Sequence, residues 1–251
     1  MTSDSGPVSA ANTRVNGERL WDSLMEMAEI GPGVAGGNNR QTLTDADAEG
    51  RRLFQSWCEA AGMTMALDRM GNMFMRLEGA DPDADPVMIG SHLDTQPTGG
   101  RFDGVLGVLA GLEVVRTIRD MGVTPRRPIV VVNWTNEEGA RFQPSLLGSS
   151  VFTGATALDW ALDRRDGNGI TVRDALADIG YAGTDTVRVP DALIELHIEG
   201  GPFLDRAGER FGAFTRFWGA TKYRLAFIGR QAHTGPTPMA ERKDALLAAA
   251  H

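Results

Sequence analysis

Pro128-Ile129-Val130-Val131-Val132-Asn133-Trp134 is a near-continuous apolar run that ends in Thr135-Asn136-Glu137-Glu138-Gly139. Such a run is what a strand buried on both faces requires. Working outward, Asp103 to Met121 has the small and apolar residues of a packed helix, and Pro86 to Gly90 is a second short apolar run, ending at Ser91-His92. Met63 to Leu77 alternates apolar and polar residues around Arg69-Met70-Gly71-Asn72, which predicts a hairpin with methionines filling one face. Thr44 to Gly62 reads as a helix with Asp45, Asp47 and Glu49 in its first turns, where the macrodipole favours acids, and Gly62 as its stop. Val15 to Ile30 repeats Leu20, Trp21, Leu24, Met25 and Met27 at helical spacing before Gly31-Pro32-Gly33. On the other side, helices are expected over Ala155 to Arg164 and Thr171 to Ile179, and a strand over Ala192 to Ile198. Strands alternating with helices, with polar chemistry at strand ends, predict an α/β fold whose sheet carries helices on both faces.

After Gly200-Gly201-Pro202 the pattern restarts with a strand, Lys222 to Gly229, and a helix beginning near Pro238. The expected organisation is a disordered tail over 1–14, a catalytic domain over 15–210 and the beginning of a second domain over 211–251. The sequence stops at His251 inside an Ala-Leu-rich helix. One strand and one helix cannot bury enough apolar surface to stand alone, so this second domain is read as incomplete.

Composition narrows the function. Of 251 residues, 42% are hydrophobic and 23% charged, the make-up of a globular protein. A net charge of −8, without long single-sign runs, argues against nucleic acid as a partner. A single cysteine, Cys58, excludes an intrachain disulfide framework and reads as a buried thiol. No signal sequence or membrane-spanning run is apparent, so the expected location is cytoplasmic, away from membranes.

Four polar stretches carry candidate chemistry. In Gly90-Ser91-His92-Leu93-Asp94-Thr95, a strand delivers a histidine and, two residues on, a carboxylate on the same face. Asp94 could accept the second ring N–H of a metal-bound His92. Asp103, in Gly99-Gly100-Arg101-Phe102-Asp103-Gly104, is either a ligand or a helix N-cap. Glu137 and Glu138 are either site residues or solvated loop charge, and His197, in Glu195-Leu196-His197-Ile198-Glu199, is a histidine within an apolar strand. Each is weak alone. Together, at the ends of separate sheet elements, they make a donor set suited to two divalent ions such as zinc, manganese, cobalt or nickel, with one glutamate ligating and its neighbour taking a proton.

At these residues the chain resembles the metallohydrolase family of N-carbamoyl-L-amino-acid hydrolases, β-ureidopropionases and allantoate amidohydrolases, relatives of aminoacylase and carboxypeptidase G. The resemblance runs from Val15 onward, through G-S-H-L-D-T-Q-P-T-G-G-R-F-D-G from Gly90, N-E-E-G-A-R-F from Asn136, E-L-H-I-E from Glu195 and G-R-Q-A-H-T-G-P-T-P-M from Gly229. It implies a zinc-aminopeptidase-like catalytic domain with a smaller α+β lid that forms a homodimer. It further implies that His92 and His197 bind one metal, Asp103 bridges both and Glu138 binds the second. Glu137 would be the general base toward the attacking water, Asp94 would orient His92, and His233 would reach the substrate from the lid and stabilise the developing oxyanion. The family pattern also points to a cis peptide near Asp103-Gly104. Gly200 stands where relatives carry a substrate-holding glutamine. The family's last ligand histidine and its carboxylate-binding arginine have no counterpart in these residues, so weak metal binding and slow turnover are expected.

The implied reaction is hydrolysis of a linear C–N amide in a small anionic substrate, an N-carbamoyl-L-amino acid first and allantoate or ureidoglycolate next. A dipeptidase or aminoacylase using the same metals is one alternative, and a non-catalytic remnant of the fold is another. A redox enzyme has little support, because no G-x-G-x-x-G follows a strand.

Overall fold

The computed structural model describes residues 14–216, 219, 221, 223 and 225–251. Most of the expected tail therefore lies outside the described residues, as do Lys222 and Arg224 of the expected strand. The chain divides into two compact units, Met1–Gly200 and Gly201–His251, a boundary ten residues earlier than the 210/211 division read from the sequence.

In the first unit, α1 (Gly17–Ala28) and α2 (Asp45–Ala60) precede a hairpin of β1 (Thr64–Leu67) and β2 (Met73–Leu77). Then come β3 (Val87–Ser91), α3 (Val105–Asp120), β4 (Ile129–Asn133), α4 (Leu147–Phe152), α5 (Leu158–Leu162), α6 (Val172–Asp178) and β5 (Ala192–Ile194). The five strands form one mixed sheet in the order β1-β2-β4-β3-β5. β1–β2 and β2–β4 are antiparallel, whereas β3 pairs in parallel with both β4 and β5. The carboxyl ends of β3, β4 and β5 consequently emerge along one edge, where α/β sheets gather their ligands.

Local chemistry explains the elements. Asn16 and Thr44 cap α1 and α2 by accepting from Arg19 N and Asp47 N. Asp47 does more than answer the helix dipole: fully buried, it binds Arg51 at 2.8 Å and Leu43 N at 2.7 Å. The hairpin turn is held by Asp68, whose Oδ1 accepts from Met70 N and Asn72 N. Every residue of β4 is buried, as the apolar run requires. Ile129 and Val131 join Met73, Met75, Leu109 and Leu112 in the main core, shared with α1, α2 and α3. Val130 and Val132 face the other way, with Phe74, Met88 and Trp134, where Phe152 of α4 and Val187 close over a smaller cluster.

Two expectations change in the first unit. The strand predicted over Ala192 to Ile198 ends at Ile194, and its three residues are exposed. Beyond it the chain turns toward α3, close enough that a side chain at Gly107 would meet the Leu196 carbonyl at 2.5 Å. α4 has no counterpart in the sequence reading: it starts after Leu146, a left-handed residue with no side-chain cap.

The second unit contains α7 (Phe203–Ala207), a 3-10 turn at Met239–Glu241 and α8 (Ala245–Ala250). Among the described residues of 222–229 no strand forms. No helix among the described residues is long and apolar enough to cross a membrane.

Candidate metal centre

His92 directly follows β3, and its imidazole is buried. Its Nδ1 lies 2.8 Å from the backbone carbonyl of Asp94, while the Asp94 carboxylate stands 3.8 Å away. The expected orienting bond therefore comes from the Asp94 main chain. The Asp94 carboxylate accepts instead from the backbone amides of Glu137 and Glu138, one on each oxygen, at 3.2 Å. It thus ties the loop after β3 to the loop after β4. Burial pushes the Asp94 carboxyl up to about 6, against the pull of His92.

His92 Nε2 faces the centre of the site, 3.3 Å from Glu137 Oε2. The room for it comes from Gly104, where a Cβ would lie 2.3 Å from Nε2, and whose φ of +69 is itself a left-handed conformation. Asp103 is not a helix cap: Gly104 occupies that position, and the Asp103 carboxylate lies 3.2 Å from His197 Nε2. The expected cis peptide at Asp103–Gly104 is corrected, since among the described residues the cis bond is Gln143–Pro144; the Asp103 turn is made by the positive φ of Gly104. His197 lies just beyond β5, its Nδ1 2.9 Å from the Ile198 carbonyl. Two residues earlier, Glu195 is held by the buried Ser91 hydroxyl, which donates to its Oε1 at 2.5 Å and fastens this segment to the end of β3.

Ligand atoms of His92, Asp103 and His197 all lie within 4.8 Å of one another, and the two imidazole centroids are 5.9 Å apart. Glu138 does not belong to this close group. Its Oε2 accepts from Gln96 Nε2 at 2.7 Å, while its Oε1 is buried without a hydrogen-bond partner. His233 lies in the second unit, exposed, with Nδ1 accepting from Gly235 N.

The electrostatics follow from this crowding. Burial works against a charged His92, but Asp94, Glu137 and Glu138 together outweigh it and hold its pKa above the ordinary value. Burial raises the Glu137 carboxyl, His92 opposes it, and Glu138 and Glu195 add to the rise. Two imidazoles, a carboxylate within reach of both, an excess of negative charge and an orphaned Glu138 oxygen together fit divalent cations.

Residues 88–251 match Peptidase family M20/M25/M40. The chain belongs to this family. It is 59% identical over 241 residues to an N-carbamoyl-L-amino-acid amidohydrolase of Rhizobium meliloti, covering 95% of this chain and 58% of that protein. A ureidoglycolate hydrolase of Arabidopsis thaliana is 31% identical, over 96% of this chain and 53% of its own length. Among solved structures, an amidase of the hydantoinase/carbamoylase family from Burkholderia vietnamiensis aligns with a TM-score of 0.84 at 45% identity, covering 95% of this chain and 58% of that one. The chain thus spans less than two thirds of the length of these relatives.

The sequence did not disclose Gln96, Ser91 or Gly104 as supports of the site. All three nonetheless lie within the G-S-H-L-D-T-Q-P-T-G-G-R-F-D-G stretch that carries the resemblance.

Proposed function

We propose that the protein is a two-metal amidohydrolase that cleaves a linear C–N amide bond of a small anionic substrate, an N-carbamoyl-L-amino acid foremost and an allantoate- or ureidoglycolate-type ureide next. The observation that carries the reading is the convergence of His92, Asp103 and His197 within 4.8 Å at the carboxyl ends of parallel strands. The names of its relatives favour carbamoyl and ureide substrates over peptides.

In this reading His92, His197 and Asp103 would hold one ion, and Glu138, whose Oε1 is buried without a hydrogen-bond partner, would help to hold the second. Divalent ions in such a site supply Lewis acidity toward water and the scissile carbonyl. Glu137, beside His92 and lifted above the ordinary carboxylate range, accepts the proton of the attacking water and returns it to the leaving nitrogen. Asp94 holds the backbone of the glutamate pair. The roles of His233 at the oxyanion and of the second unit as the start of a dimerising lid rest on the family resemblance.

The test is to supply the protein with zinc, manganese, cobalt or nickel and compare ammonia release from N-carbamoyl-L-amino acids with amino-acid release from dipeptides. Metal-dependent ammonia release supports the reading. Dipeptide cleavage without ammonia release, or failure to bind any of these metals, overturns it.

A further inference from the structure

Arg40 lies in the loop before α2 with its side chain fully buried, yet among the described residues it makes no ion pair. Its guanidinium reaches backbone carbonyls instead. Nε donates to Leu93 O at 2.9 Å, and Nη1 donates to Met27 O and Ile30 O at 3.1 and 2.8 Å, while Nη2 has no partner. The Arg40 backbone joins the same segment, its N–H donating to Thr95 Oγ1 at 2.8 Å and its carbonyl accepting from Thr95 N at 2.9 Å. From the opposite side the buried Asn133 Oδ1 accepts from Leu93 N at 2.8 Å. Both polar backbone groups of the residue between His92 and Asp94 are therefore fixed by buried side chains. Even α2 makes way: a Cβ at Gly50 would stand 3.0 Å from Arg40 Cδ.

A buried guanidinium without a carboxylate partner is costly, and a core could fill that volume more cheaply with an apolar side chain. Burial lowers the pKa of Arg40, and the charges of Asp47 and Asp94 draw it back.

We infer that Arg40 is a positioning residue of the metal centre, clamping Leu93–Thr95 so that His92 and the Glu137–Glu138 loop keep a fixed separation. The inference rests on the metal-site reading above. It extends it to a side chain that touches neither ion nor substrate.

Arg40→Lys and Arg40→Met test it with two readouts. In the metal-free protein, hydrogen exchange should show both variants losing protection at Leu93–Thr95 and at the Glu137 and Glu138 amides, while α3 keeps its protection. In a zinc titration the Kd should rise about 10–100-fold for Arg40→Met, as for other supports of metal ligands. The rise should be smaller for Arg40→Lys, which restores the charge without the planar fork. A residue of merely structural importance would lower the melting temperature without this selectivity. Wild-type exchange at those amides in a folded variant, unchanged zinc affinity, or global unfolding of both variants overturns the inference. Absence of zinc binding by the wild-type protein overturns the site reading instead, and the exchange arm still decides whether Arg40 holds the two loops.

Discussion

Replacing Gly104 by alanine gives the sharpest test of how the site is built. The new Cβ would lie 2.3 Å from His92 Nε2 and 2.4 Å from Cε1. Non-bonded heavy atoms settle at roughly 3.5 Å or beyond, so the ring must retreat by about 1 Å. Metal–ligand distances tolerate only about 0.2 Å, so an imidazole displaced this far could not serve as the ligand proposed above. Independently, a left-handed alanine costs about 1–2 kcal/mol, which for a chain of this size lowers the melting temperature by about 2–8 °C. The two effects can be separated, because Gly122, at the other end of α3, has φ +65 with nothing within 4 Å of its added Cβ. Gly122→Ala should show the thermal shift alone. Gly104→Ala should show it together with a loss of zinc affinity of about 100-fold or more, measured by calorimetric titration. Equal zinc affinity in the two variants would refute the argument, since it would mean that His92 does not have to occupy the space the glycine leaves.

Three further outcomes are expected. If Glu137 is the proton acceptor proposed above and not a ligand, Glu137→Gln should leave metal binding intact while ammonia release falls about 10²–10⁴-fold; loss of metal with the activity would move Glu137 into the ligand set. Glu113 sits under Arg19, with hydrogen bonds of 2.8 Å to Nε and Nη2 and one of 2.9 Å from Asn16 N. Burial opposes its ionisation, but these donors outweigh burial and hold it below the ordinary range. Its contribution is therefore present above the unfolded carboxylate pKa and lost as pH falls through the folded one. Urea titrations should find Glu113→Gln about 1.5–3 kcal/mol less stable at neutral pH, with the gap closing below about pH 4; a gap that widens in acid contradicts the sign. Cys58 is fully buried, and burial raises its thiol well above the usual value. A thiol reagent should leave it untouched in the native protein and modify it in denaturant, and rapid native labelling would show that the main core opens locally.

The parts of the fold legible in the sequence are those where burial writes a period. Val130 to Val132 are apolar without interruption because both faces of β4 are covered, α1 announces itself through the spacing of Leu20, Trp21, Leu24, Met25 and Met27, and α2 through its first-turn acids and Gly62. α4 was illegible because it is six residues long and enters from a left-handed leucine instead of a capping side chain. β5 was drawn too long because its apolar residues continue past Ile194 while the backbone departs. At the site, His92, Asp103 and His197 could be singled out as polar residues at element ends, and the structure brings them together. The sequence could not assign the partners of Asp94, because main-chain amides at 137 and 138 leave no mark in residue identity. Arg40 was equally hidden, since Asn38-Asn39-Arg40 reads as an ordinary polar loop and its carbonyl partners are 10 to 53 residues away.

The grip of Asp94 on two peptide groups separates address from trade. Whatever side chains stand at 137 and 138, proline excepted, their amides remain available to the same carboxylate, so selection can swap the reactive tips while the rails beneath them stay in place. A scaffold with that property can change its chemistry in single steps, without first relearning how to fold.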